Sequence, residues 1–183
     1  MRRMVPLFLG VLALSSNAFA QTPPTPELET ALLAAPAQLR DGATVIKWKP
    51  DYTYDTLRKG TNRLVCFDSS NMTGQQPFSV ECSSIANLDR IAQNLKFEAE
   101  PDRMKRQMAL DAAEANGTRA KPEFGSVWYH LMGMDQATAR THMTIAVPGA
   151  TTASLGLPDN GRNGGVWIMN AGTSTAHLMT PGE

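Results

Sequence analysis

Residues 78–95 read FSVECSSIANLDRIAQNL, and a change of rhythm inside them decides the fold. Phe78–Cys82 is a short run of strand type. From Ser83 the spacing switches: Ile85, Leu88, Ile91, Ala92 and Leu95 recur at the interval of one helix face, and Ser83 or Ser84 can cap the helix start. The chain passes here from a block of strands to a block of helices.

Upstream, Asp41-Gly42 is a turn signal, and Ala43–Lys49 (ATVIKWK) follows with Thr44, Ile46 and Trp48 at alternate positions. Tyr52–Lys59 alternates less cleanly. Gly60-Thr61-Asn62 then punctuates, and Arg63–Asp68 (RLVCFD) is a further strand. The spacing predicts a meander joined by short turns, with the polar stretch Ser69–Pro77 leading into Phe78–Cys82. Cys66 and Cys82 flank that stretch. An even pair in an oxidising compartment forms a disulfide. The loop it closes, about 17 residues, corresponds to roughly 3 kcal/mol of unfolded-state restriction. The bridge is expected to staple two strand ends.

Downstream, Pro101-Asp102 opens a second helix and Gly117 stands where its C-terminus favours positive φ. Met104, Met108, Ala112 and Ala115 form one stripe, read as core packing. Strand-like runs return at Gly125–Met132, Thr141–Val147, Val166–Met169 and Ala176–Met179, with a Gly-rich loop from Gly149 to Gly165. The last two runs are spaced as a hairpin through Asn170–Thr175. Lys59-Gly60-Thr61-Asn62 and Ala171-Gly172-Thr173-Ser174 echo each other, a likeness that hairpin chemistry alone can produce. Strands, helices, then strands again predict an α+β fold: an antiparallel sheet packed with one or two helices in a single domain, residues 41–183.

The 183 residues carry 17 basic and 17 acidic side chains, with 42% hydrophobic and 19% charged residues. That composition excludes a disordered chain and a strongly basic nucleic-acid binder. Residues 1–20, MRRMVPLFLGVLALSSNAFA, have two arginines, an apolar stretch and a small-residue Ala18-Phe19-Ala20 ending, the form of a secretory signal peptide. Its loss removes Arg2 and Arg3, leaving 15 basic against 17 acidic residues, a net −2. The apolar stretch is shorter than the roughly 20 residues a spanning helix needs, and no integral membrane segment is expected once it is removed. A periplasmic or secreted location follows. Residues 21–40 are expected to hold a flexible Pro-rich segment and a short helix near Glu27–Ala35, ended by Pro36.

Candidate chemistry gathers in the C-terminal third, where all three histidines lie. His130-Leu131-Met132 and His177-Leu178-Met179 share one spacing, and residues i and i+2 of a strand share a face. Imidazole with thioether suits copper, so His130, Met132, His142, His177 and Met179 are metal candidates. The alternative is that these methionines fill the core and the histidines bond to backbone. His142, His177, Trp167 and Asp159 are ligand-binding candidates, together with the Gly149–Gly165 loop. Trp48, Tyr52, Tyr54, Trp128, Tyr129 and Trp167 can line a cleft or close the core. For a hydrolase, His142 or His177 would serve as base and Asp159 or Asp135 as acid, but Ser154, Ser174, Thr141 and Thr173 compete as nucleophile and no G-x-S-x-G motif selects one. Gly161-Arg162-Asn163-Gly164-Gly165 precedes a strand rather than a helix and is not a phosphate cradle.

Several patches carry a resemblance: Asp41-Gly42-Ala43-Thr44-Val45, Lys59-Gly60-Thr61-Asn62 with Cys66, Thr141-His142-Met143 through Val147-Pro148, Gly156-Leu157-Pro158, Gly164–Met169 and Gly172–Met179. Together they resemble a group of small exported bacterial proteins of unknown function. The likeness runs in patches from about residue 41 to the C-terminus and is most specific in the last of them. The chain departs from the group's pattern between Gly133 and Arg140, where a longer insertion is usual. The resemblance implies export and one compact domain, with no activity attached. The leading expectation is a non-enzymatic domain that binds a small ligand or a protein partner. A periplasmic copper-type metal binder and a small hydrolase are the alternatives.

Overall fold

The computed structural model describes residues 25–180. The expected signal peptide and residues 21–24 lie outside them. Eight strands form one sheet: β1 Thr44–Trp48, β2 Tyr54–Arg58, β3 Leu64–Asp68, β4 Phe78–Ser84, β5 Val127–Gly133, β6 Arg140–Ala146, β7 Trp167–Met169 and β8 His177–Met179. Their order is β2-β1-β3-β4-β5-β6-β8-β7. Every strand run read from the sequence is present, and the fold is α+β with a mostly antiparallel sheet.

The meander is corrected at its start. β1 pairs with β2 antiparallel and with β3 in parallel. β2 folds back to the outer edge, and residues 59–63 carry the chain across the start of β1 to its other side. Gly60 makes this crossing possible. A Cβ there would lie 2.3 Å from the Gly42 carbonyl oxygen and 2.4 Å from the Thr44 nitrogen. The Thr61 and Asn62 amides both donate to the Gly42 carbonyl, at 2.8 and 2.9 Å, and the Gly60 amide donates to Thr44 Oγ1 at 3.1 Å. The two Gly-Thr turns therefore do different jobs, since Gly172-Thr173 lies in the β7–β8 hairpin connection.

The eight-stranded sheet is larger than the expected cover of one or two helices suggests, and each of its faces carries a helix. On one face, α1 (Pro26–Ala31) and the turn after it bury Leu28, Ala31, Leu32 and Ala35 against Ala43, Val45, Cys66 and Cys82. On the other, α2 (Leu88–Glu98) sets Ile91 and Leu95 against Ile46, Trp48, Val65, Phe67, Trp128 and Ala146. Burying one aliphatic side chain of this kind is worth about 1.5–3 kcal/mol, so these two residues fix α2 to the sheet. Cys66 and Cys82 are directly opposed in the β3–β4 register and are bonded. The bridge crosses the middle of the strand pair rather than its ends.

α3 (Arg103–Ala115) is capped by Asp102, whose carboxylate accepts from the Met104 and Lys105 amides, and is followed by Gly117 at φ 72°. Its methionine stripe is not core. Met104 is 75% and Met108 68% exposed. The apolar face of the sheet is already taken by α2, so α3 packs beside α2 and buries only Ala113. The Gly149–Gly165 loop also contains a one-turn helix, α4 (Thr152–Leu155), closed by a Thr151–Ser154 capping box and Gly156 at φ 67°.

Candidate functional site

Strand register brings the three histidines together. β5 and β6 pair antiparallel with His130 opposite His142, and β6 and β8 pair with Ala146 opposite His177. Side chains alternate along a strand, so Trp128 and His130 share a face of β5, and His142, Thr144 and Ala146 share the matching face of β6. That face is the α2 side, because Trp128 and Ala146 pack with Ile91 and Leu95. The outcome is a cavity of about 210 Å³ lined by Trp128, His130, His142 and His177, with Arg90 and Asn94 of α2 and Thr175 closing it. The Trp128 and His130 rings are stacked at 6.4 Å, and the His130 and His142 rings are 6.0 Å apart.

The three imidazoles are held differently. His130 Nδ1 lies 3.3 Å from Glu81 Oε2, its cross-strand neighbour on β4. Burial disfavours the imidazolium, but the Glu81 charge and hydrogen bond, with Glu98 behind them, outweigh it and hold the His130 pKa above the ordinary value. Glu98 is itself pushed up, chiefly by burial, against the opposing Gln75 amide, which donates at 2.7 Å. His177 Nδ1 is 2.7 Å from the Thr175 carbonyl. A carbonyl only accepts, so this contact places the proton on Nδ1 of the neutral ring and leaves Nε2 as acceptor. Burial lowers the His177 pKa, and the charges of His142, His130 and Arg90 act in the same direction.

A second cavity of about 490 Å³ adjoins the first, sharing Arg90, Asn94 and Thr175 and running between α2, α3 and the Asn170–Thr175 turn. Two buried guanidiniums line it. Arg90 is 3% exposed and donates from Nη1 to the Ala120 carbonyl and Ser174 Oγ, and from Nη2 to Thr175 Oγ1. Burial, with Arg119 nearby, lowers its pKa to about 10, so it stays cationic at neutral pH. Arg119 donates to Gln93 Oε1 and Asn94 Oδ1, lies over the Phe97 ring at 4.9 Å, and has a buried Nε without a partner. Glu114 faces both. The Ser174 amide and hydroxyl donate to it, and with the two arginine charges they overcome its desolvation and keep its pKa low.

Other residues singled out in the sequence lie elsewhere. Asp159 is exposed and accepts from Asn160 Nδ2; Trp167 stands on β7 over Gly161. Neither borders the histidine cavity, nor does any residue of the Gly149–Gly165 loop. Met132 is opposite Arg140 and Met179 opposite Trp167, both half-buried and outside the cavity lining. Among the described residues, no group of three His, Cys, Asp or Glu side chains is placed to hold a metal ion. Asp135 accepts from Thr138, and Ser174 serves Glu114 and Arg90. Sequence reading overlooked Arg90, Asn94, Glu98, Arg119 and Glu81. A signal existed: Asn87, Arg90, Asn94 and Glu98 form a polar stripe at helical spacing along the apolar stripe of α2.

The chain matches no protein-family model, no curated protein and no solved structure.

Proposed function

We propose that this is an exported, non-enzymatic protein that binds a small ligand in the histidine cavity. The observation that carries the reading is the convergence of His130, His142 and His177, from three different strands, with Trp128 on one concave surface beside α2. Ligand sites are concavities with aromatic walls and a few convergent polar groups, and a rigid sheet positions this one. Binding is favoured over hydrolysis because the partners that orient the rings are Glu81 for His130 and a backbone carbonyl for His177. Among the described residues, no Ser or Thr hydroxyl is hydrogen-bonded to a histidine. The leader-like residues 1–20 and the Cys66–Cys82 disulfide support export, and no described helix is long and apolar enough to cross a membrane. The resemblance to small exported bacterial proteins points the same way.

The test is a thermal-shift screen of small metabolites on the disulfide-intact mature protein, with His142→Ala and His177→Ala alongside. The reading expects compounds that raise Tm in the wild type and lose at least tenfold in affinity in both variants. A screen without such a compound, or hits indifferent to both substitutions, would contradict it.

A further inference from the structure

We infer that the ligand carries an oxyanion, a carboxylate or a phosphate, which docks on Arg90, where the two cavities meet, and on Arg119 of the larger one. This inference rests on the ligand-binding reading above and adds its chemical class. A guanidinium offers five N–H donors. Arg90 commits three of them to protein acceptors, which leaves its Nε hydrogen and one Nη2 hydrogen. Arg119 commits two, which leaves three, including the buried Nε. Both side chains are more than nine-tenths buried, at 3% and 7% exposure, and among the described residues neither forms an ion pair within 4.0 Å. Glu114 acts on both only through charge at longer range, so these donors stay open, and a planar fork of donors matches a carboxylate or phosphate edge.

The carboxylates in the same cleft do not occupy the open arginine donors. Glu114 accepts from the Ser174 amide and hydroxyl, Glu98 from Gln75, and Asp111 from Gln107. Their oxygens are held by neutral donors of the protein, whereas the arginines are held only by carbonyl, amide and hydroxyl oxygens. Arg106 adds a third cation at the half-buried rim. Arg90 belongs to both cavities, so an anionic head on it leaves the body of the ligand against the Trp128, His130 and His142 rings.

The experiment titrates the mature protein by NMR with benzoate, phenyl phosphate and benzamide, ring compounds chosen for the aromatic wall. Benzoate, phenyl phosphate or both should bind saturably, at least tenfold more tightly than neutral benzamide. Binding by one alone assigns the carboxylate or the phosphate. Affinity should fall several-fold as salt rises from about 50 to 300 mM, because screening weakens charge recognition. Arg119→Gln should weaken the oxyanion at least tenfold, and the rim variant Arg106→Gln about threefold. Arg106→Gln serves if Arg119→Gln does not fold. Arg63→Gln, whose guanidinium pairs with Glu123 outside this cleft, should change nothing. Benzamide binding as tightly as benzoate would overturn the inference, as would oxyanion affinity untouched in both the Arg119 and the Arg106 variant. The two readings fail separately: a neutral compound that needs His177 ends the oxyanion inference and leaves ligand binding standing, while no ligand of any charge ends both.

Discussion

Replacing Gly60 with alanine should destabilise the molecule where the chain crosses β1 between β2 and β3. The added methyl would meet three backbone atoms, Gly42 O at 2.3 Å and Ala43 C and Thr44 N at 2.4 Å. None can swing aside as a side-chain tip would, so residues 59–63 must lift off β1 by about 1 Å to restore ordinary carbon contacts of roughly 3.5 Å. That lift stretches the bonds from the Thr61 and Asn62 amides to Gly42 O. Each is worth about 1 kcal/mol net, and overpacking adds about 1–3 kcal/mol. The expected loss is about 3–5 kcal/mol, or roughly 6–20 °C in Tm for a chain of this size. Urea unfolding followed by tryptophan fluorescence, with the disulfide intact, measures it. Gly165 is the control, because a Cβ there meets nothing within 4 Å and its φ is not positive; Gly165→Ala should stay within about 0.5 kcal/mol of wild type. If Gly60→Ala matched Gly165→Ala, the chain would not cross β1 as described and the parallel β1–β3 pairing would be refuted.

Reducing the Cys66–Cys82 bridge, or replacing both cysteines with serine, should cost about 3 kcal/mol in urea unfolding, the entropy of a loop of about 17 residues; a loss under about 1 kcal/mol would contradict it. NMR titration should place the His130 pKa above and the His177 pKa below the ordinary value of about 6.5. Glu81→Gln should carry His130 below that value, since burial then acts with little opposition. By linkage, the His130 contribution to stability is full below the ordinary pKa and is lost as pH rises through the raised one. The His177 contribution is lost as pH falls toward its depressed one. His177 titrating above His130 would contradict the site electrostatics. Finally, Met104→Gln with Met108→Gln should change stability by no more than about 0.5 kcal/mol, whereas the several kcal/mol expected of core methionines would show α3 to be misplaced.

The strands were legible because alternation in runs such as ATVIKWK and RLVCFD is a local signal, and α2 because Ile91 and Leu95 keep helical spacing, although Ser84 caps the 3-10 turn Ile85–Asn87 ahead of α2 rather than α2 itself. What escaped depended on layering and strand order. Met104 and Met108 look like a core stripe, and nothing local reports that α2 already covers the sheet. The crossing at Gly60 looks like a hairpin turn until its backbone is seen against Gly42. His130 and His142 were within reach, since a hairpin turning near Gln136 sets them opposite. His177 was not, because β8 pairs with β6 across the whole Pro148–Ala176 excursion. Arg90 and Arg119 lie in no apolar pattern that would report their burial, although Asn87 and then Arg90, Asn94 and Glu98 of α2 mark a polar stripe turned inward.

Trp128 and the three histidines are proposed to form one ligand cavity, and the three tryptophans of the chain permit a direct test. The indole N–H resonances of Trp48, Trp128 and Trp167 can be followed while the tightest compound from the metabolite screen is titrated into the disulfide-intact protein. The Trp128 resonance should shift saturably together with the imidazole signals of His130, His142 and His177, by more than any change at Trp48 or Trp167. A saturating response led by Trp167, with Trp128 and the histidines still, would place the ligand elsewhere and refute binding in the histidine cavity.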